Sequence, residues 1–246
     1  MYIAFKVGPT LALLTLVITC ITPSQPAPLH VYELNNSFAD SLGGPDIGSN
    51  GGTLGPTGYT FGLNQGLNLS NPGISNSYSI DMTFSVNTIS AADGHNGYVK
   101  LLDFKNLTSD SGLYIFNGKL DYFDSGQVAN SATVLFTPGT IAEVRLNRDA
   151  GTNEVSAYVN GAFQFALTDS TNSAVFDAPG NIINFFNDDF ATTQRESSAG
   201  FADSITIASA PVPETSTTVS LGLLLALSLG TLAVTTRKRV LLKKGL

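Results

Sequence analysis

Between Leu29 and Ile207 apolar residues recur at every second position, and no apolar stripe of helical spacing runs beyond two turns. In SYSIDMTFSV (77–86), Tyr78, Ile80, Met82, Phe84 and Val86 share one face, with serine, aspartate and threonine between them. A strand with one buried face reads that way. AEVRLNRD (142–149) places Val144 and Leu146 inward between charged neighbours. EVSAYVNGAFQFAL (154–167) brings Val155, Ala157 and Val159 to Asn160-Gly161, and the alternating Phe163, Phe165 and Leu167 lead away. Asn-Gly accepts positive φ at both centres of a two-residue turn, so this segment is predicted to be a β-hairpin. GLYIFNGKLDYFD (112–124) repeats the device around Asn117-Gly118, and NIINFF and SAGFADSITI supply two late strands.

Runs of this kind number about eleven or twelve, separated by turn residues, which predicts an all-β sandwich rather than βαβ units. The glycine-rich SLGGPDIGSNGGTLGPTG (41–58) reads as one long loop. No helical pattern follows it, so it lacks the context of a phosphate cradle. One β domain is expected over 25–208, with no second domain beside it.

The ends of the chain change the picture. MYIAFKVGPTLALLTLVITCITPSQPAP carries Lys6, an apolar stretch from Leu11 to Ile21 and a proline-rich exit. That is the layout of a signal peptide, assigned to 1–24 with cleavage after Ser24. Cys20 follows a loose lipobox, with Thr19 a poor residue before a lipidated cysteine. Residues 209–218 form a linker with Pro213-Glu214, and 219–236 a transmembrane helix. The basic tail 237–246 begins with Arg237, Lys238 and Arg239. The uncharged run from Thr215 to Thr236 gives roughly 33 Å of helix, enough for a hydrocarbon layer of roughly 30 Å. The basic cluster orients the tail to the cytoplasm and the β domain outside.

The formal net charge of −7 hides an asymmetry. Of the twelve basic residues, Lys6 and the five in the tail lie outside 25–213, whereas only Glu214 of the nineteen acidic ones does. The body is therefore left with six bases and eighteen acids, a net charge of −12. Such a surface repels nucleic acid, which is excluded as a partner. Without Cys20 no cysteine remains, so no disulfide framework holds the domain.

LDFKNLTSDSGLYIFNGKLDYFD, TPGTIAEVRLNRDAGTNEVSAYVNGAFQFALTD and NIINFFNDDFATTQRESSAGFADSITI resemble the LamG-like, concanavalin A-type jelly rolls of exported bacterial proteins. YVNG before a return strand and the closing GFADSITI carry most of that resemblance, which covers nearly all of 29–207. The C-terminus resembles a PEP-CTERM sorting signal in Val212-Pro213-Glu214, the Leu/Gly-rich helix, and Arg237, Lys238 and Arg239. It departs from that pattern with Thr215 in place of the second proline and with VLLKKGL after the basic cluster. The resemblance implies a recognition protein of the cell surface or extracellular matrix, binding glycan or protein. It also implies an exosortase-type processing enzyme as partner and transient residence in the inner membrane. A single-pass anchor, a ligand-free structural protein and a carbohydrate-active enzyme are the alternatives.

Candidate chemistry is sparse. Glu33, Glu143, Glu154, Glu196 and Glu214 form no Glu-x-Asp-x-x-Glu row, and no Gly-x-Ser-x-Gly elbow is present, so the chain reads as non-enzymatic. His30 and His95 read as loop residues without zinc spacing. Calcium is the candidate cofactor, through Asn187, Asp188, Asp189 and Glu196 in one loop. Asp103, Asn106 and Asp110 offer a second oxygen-rich loop. Turn-capping or pairing with Arg145, Arg148 and Arg195 is the plainer role for these acids. Sugar binding has no tryptophan to use, and Tyr59, Tyr98, Tyr114, Tyr122 and Tyr158 mostly alternate as core tyrosines would.

Overall fold

The computed structural model describes residues 27–74, 76–89, 97–124, 126–176 and 180–209. The expected signal peptide 1–24, transmembrane helix 219–236 and tail 237–246 lie outside them. So do His95, Val212, Pro213, Glu214, Arg237, Lys238 and Arg239, and all of the 209–218 linker but its first residue. Among the described residues no helix is long and apolar enough to cross a membrane.

Alternation of apolar and polar positions resolves into fifteen strands among the described residues. They are β1 (Pro28–Tyr32), β2 (Gly48–Ser49), β3 (Thr53–Gly55), β4 (Gly58–Phe61), β5 (Leu67–Ser70), β6 (Tyr78–Val86), β7 (Tyr98–Asp103) and β8 (Gly112–Phe116). The remainder are β9 (Lys119–Asp124), β10 (Gln127–Asn130), β11 (Ala142–Asp149), β12 (Glu154–Val159), β13 (Ala162–Thr168), β14 (Ile182–Phe185) and β15 (Gly200–Ala208). The first sheet runs β13-β12-β11-β6-β15-β4-β3, with β1 also paired to β15, and the second runs β10-β9-β8-β7-β14-β5-β2. Neighbours pair antiparallel throughout, an arrangement consistent with a jelly-roll sandwich. The expected glycine-rich loop 41–58 instead contains β2, β3 and the first residue of β4, because its short extended pieces find partners in β5 and β4.

The core lies between the sheets. Tyr78, Ile80, Met82, Phe84 and Val86 of β6 all point into it, as do Val144 and Leu146 of β11. Leu69, Val99, Leu113, Ile115, Leu120, Tyr122, Ile183 and Phe185 meet them from the second sheet. Both predicted hairpins form. Asn117 and Gly118 have φ of 50° and 76°, and Asn160 and Gly161 have 50° and 75°. Positive φ at both turn positions matches the right-handed twist of the flanking strands.

Register shifts in four strand pairs alter the simple alternation, one of them at Pro28–His30 in β1. In the β12–β13 pair the two-residue turn sets Phe163 opposite Tyr158, outside the core, and Gln164 as the extra residue of β13 returns Phe165 to the core face opposite Ala157. Phe163, expected inward, is 59% exposed. In β15 the shift between Ala202 and Ser204 returns Ile205 and Ile207 to the core face after Ala202. The fourth, in β7, shapes the candidate site.

Candidate functional site

β7 pairs with β8 so that Lys100 stands opposite Tyr114 and Leu102 opposite Leu113, with Leu101 as the extra residue. An added residue reverses which side chains face out. Lys100 and Asp103 consequently share the outward face of the second sheet, with Nζ 2.9 Å from Asp103 Oδ2. Lys100 also pairs with Asp189 Oδ2, and its Nζ sits 5.2 Å from the centre of the Tyr114 ring. Burial opposes the ammonium charge, but Asp103 and Asp189 outweigh it and hold Lys100 above its ordinary pKa. Gly112 makes room for this chain. A Cβ there would lie 2.5 Å from the Leu102 carbonyl oxygen and 2.8 Å from Lys100 Cε.

Beside Lys100 the same face collects aromatic rings. Tyr98 stacks on Phe116 with centroids 4.2 Å apart, and meets Tyr114 edge-on at 5.7 Å and Phe123 at 6.2 Å. Tyr98, Tyr114 and Phe123 line a cavity of about 100 Å³ together with Asp110 and Glu196. Tyr114 Oη donates to Asp110 Oδ1 at 2.8 Å. The loop after β14 closes the groove, anchored where Lys100 N donates to the Glu196 carbonyl at 2.7 Å. Glu196 is only 6% exposed, yet its carboxyl makes no hydrogen bond among the described residues. Burial first, then Asp110, Asp188 and Asp189, push its pKa up to about 8. Near neutrality it is mainly protonated, able both to donate and to accept. Burial also raises the Tyr98 phenol, reinforced by Asp121, Glu196 and Asp110, and lifts Asp121 to about 6.

The loop named from sequence is thus placed at this groove, with its members in different roles. Asp189 pairs with Lys100 and accepts from Thr192 N at 3.0 Å. Asp188 Oδ2 accepts from Thr192 Oγ1 at 2.8 Å and from Glu196 N at 2.7 Å, which fixes the turn. Asn187 Oδ1 and Asp188 Oδ1 are buried without a hydrogen-bond partner. Among the described residues no group of three or more His, Cys, Asp or Glu is placed to hold a metal ion. Asp103 caps the next turn by accepting from Lys105 N and Leu107 N at 3.1 and 2.7 Å. Asn106 Oδ1 is 3.4 Å from Asn184 Nδ2.

Other polar expectations shift. Arg145 pairs with Asp81 at 2.6 Å and Arg148 with Asp169 at 3.0 Å, while Lys100 takes the place of an arginine beside Asp103. His30, expected in a loop, is buried in β1. Its Nδ1 lies 2.8 Å from Asp40 Oδ2, and its Nε2 donates to Pro72 O at 2.9 Å. Tyr59 and Tyr122 are core residues as expected, whereas Tyr98 and Tyr114 line the groove. Sequence reasoning missed Phe116, Phe123 and Lys100. The signal for the two rings was the alternation of Tyr114 and Phe116 before the Asn117-Gly118 turn and of Asp121 and Phe123 after it, whereas Lys100 is brought beside them only by the bulge in β7.

A second cavity of about 270 Å³ is lined by Asn76, Arg148, Ala150, Asn153, Asn172 and Val175. Its arginine is already committed to Asp169, Asn76 O and Asn172 Oδ1.

No family model matches the chain, and no curated protein matches it. Solved structures do. Domain 4 of the extracellular GH43 arabinanase AbnA from Geobacillus stearothermophilus, in complex with arabinotriose, is 18% identical with a TM-score of 0.57. The match covers 78% of this chain and 96% of that domain. The CBM40 of the Ruminococcus gnavus IT-sialidase, bound to α2,3-sialyllactose, is 14% identical with a TM-score of 0.50, covering 68% and 95%. The binding domain of botulinum neurotoxin serotype D is 14% identical with a TM-score of 0.53, covering 76% of this chain and 49% of that one. At these identities the likeness shows a fold: the chain carries an all-β sandwich similar to carbohydrate-binding and other binding domains.

Proposed function

We propose that this protein is a non-catalytic carbohydrate-recognition protein that binds its ligand in the groove formed by Tyr98, Tyr114, Phe123, Asp110 and Glu196. One observation carries the reading: aromatic rings and the carboxyl groups of Asp110 and Glu196 converge on one cavity at the outward face of the second sheet. Sugars present apolar C–H faces and a rim of hydroxyls, so rings flanked by acceptors suit them. Neighbours of the same fold bound to arabinotriose and sialyllactose support the choice of ligand class.

The rest of the reading is drawn from the sequence. The protein belongs among LamG-like exported proteins, enters the envelope through its signal peptide, and is held by 219–236 in the inner membrane. An exosortase-type enzyme then cuts near Val212-Pro213-Glu214 and releases it to the cell surface or matrix. Intact mass of protein recovered from the envelope tests this part. A chain still holding 219–236 would establish the single-pass anchor instead.

Calcium at the 187–196 loop is a separate proposal, supported by the two unpartnered oxygens of Asn187 and Asp188. Against it stands Lys100, which already neutralises Asp189.

A glycan array probed with the full chain tests the main reading. Binding is expected, with Tyr98→Ala weakening it by about tenfold or more and Phe163→Ala, on the other sheet, leaving it intact. Retention of all binding by Tyr98→Ala would move the site elsewhere.

A further inference from the structure

The groove is electrically one-sided. Asp110 and Glu196 line it, and Asp103, Asp121, Asp188 and Asp189 surround it, facing it from β7, β9 and the loops after β7 and β14. The only cation among these groups is Lys100, already shared between Asp103 and Asp189. Lys119 stands at the hairpin end opposite Phe116, Lys105 donates to the Asn172 and Val175 carbonyls, and Arg195 is exposed. A uronate or sialate carboxylate brought here would meet like charge without a guanidinium or ammonium to receive it.

Glu196 supplies the second observation. The residue is more than nine-tenths buried, lines the cavity, and has a carboxyl without a hydrogen bond among the described residues. Its oxygens are thus left to meet whatever enters the cavity. Rings of Tyr98, Tyr114 and Phe123 stand around the same space, and aromatic faces beside carboxylates are the chemistry that holds an ammonium.

Resting on the reading of the groove as a sugar site, we propose that it selects a protonated amino sugar, a 2-amino-2-deoxyhexose unit of a cationic polysaccharide. Its ammonium is placed between Asp110 and Glu196, and its C–H face lies on Tyr98 and Phe123.

Three oligosaccharides of equal length decide it by titration calorimetry on the full chain at about pH 6, where the amine is protonated. They are β-1,4-glucosamine, its N-acetylated counterpart and oligogalacturonate, with oligolysine as a fourth probe. Glucosamine oligomers are expected to bind at least about tenfold more tightly than the N-acetylated ones, and galacturonate weakest. Asp110→Asn and Glu196→Gln should each collapse that ratio toward one. Equal affinities, or preference for galacturonate, would overturn the amine inference while leaving sugar binding standing. Oligolysine binding more tightly than the amino sugar would overturn it in favour of a basic peptide. No binding of any sugar, here and on the array, would overturn the underlying reading as well.

Discussion

The outward faces of the two sheets are built from the same alternation and do different things. Along the centre of the first sheet the outward positions are Ser79, Asp81, Thr83 and Ser85 on β6, Glu143, Arg145 and Asn147 on β11, and Ser204 and Thr206 on β15. Ser79, Ser85 and Asn147 are buried there, while Asp81, Thr83, Glu143, Arg145, Ser204 and Thr206 keep part of their surface in water. The second sheet presents Tyr98, Lys100, Tyr114, Phe116, Asp121 and Phe123. Lys100 there is fully buried beneath a loop, its charge balanced by two acids. Desolvating charges and stacking rings on an outer face works against stability and solubility, and this is the face on which the proposed sugar site lies.

The comparison breaks most easily at its ion pairs. Lys100→Met strands Asp103 and Asp189 as buried charges and should cost about 3–5 kcal/mol in urea denaturation. Arg145→Ala, which breaks the Asp81 pair on the first sheet, should cost no more than about 1 kcal/mol. Equal losses would erase the distinction between the two faces.

Ligand binding comes next. Tyr98→Ala and Phe123→Ala should each lower sugar affinity by about tenfold or more, and Thr83→Ala should not change it. A comparable loss in Thr83→Ala would place recognition on both faces.

The effect of pH is smaller and has a definite sign. Glu196 ionises near 4.5 when unperturbed and at about 8 in the fold, so the folded state holds a proton that the unfolded chain has released. Its contribution to stability is complete below about pH 4.5 and is lost as pH rises through about 8. Melting temperature should fall across that window, and Glu196→Gln should flatten its upper part. Asp121, raised from 3.8 to about 6, keeps the lower part of the slope in that variant. A wild-type profile level from about pH 6 to about pH 8 would contradict the buried, charge-crowded setting of Glu196.

The smallest effect is the one proposed for calcium. At a concentration equal to its dissociation constant a bound ion adds about 0.4 kcal/mol, read as a small rise in melting temperature over magnesium or chelator. Asp188→Asn should remove the difference. Identical melting in all three solutions would leave Asp188 as the acceptor that fixes the turn.

Strands and turns were legible because each depends on neighbours in sequence. The two Asn-Gly hairpins and the inward row from Tyr78 to Val86 follow from local φ preference and a period of two. Short strands of the glycine-rich 41–58 segment were not legible, since only pairing with β4 and β5 makes such pieces extended. Phe163 was misplaced because the two-residue turn pairs it with outward Tyr158, and only the extra residue Gln164 brings Phe165 back to the core face, a slip that alternation does not mark. Of the site, the 187–196 loop and Tyr98 and Tyr114 were visible as residues, but their convergence was not.

By itself the sequence determined the all-β character, the hairpins, the acidic body and the absence of a familiar catalytic pattern, all of which rest on composition or on local spacing. Tertiary structure alone decided that Tyr98, Tyr114 and Phe123 meet Asp110 and Glu196, and that Lys100 lies between Asp103 and Asp189. Those contacts join positions up to 98 residues apart, between Tyr98 and Glu196. They exist because a bulge in β7 turns Lys100 outward and because the loop after β14 folds back over it. Neither event leaves a periodic trace, since each depends on which strands have become neighbours.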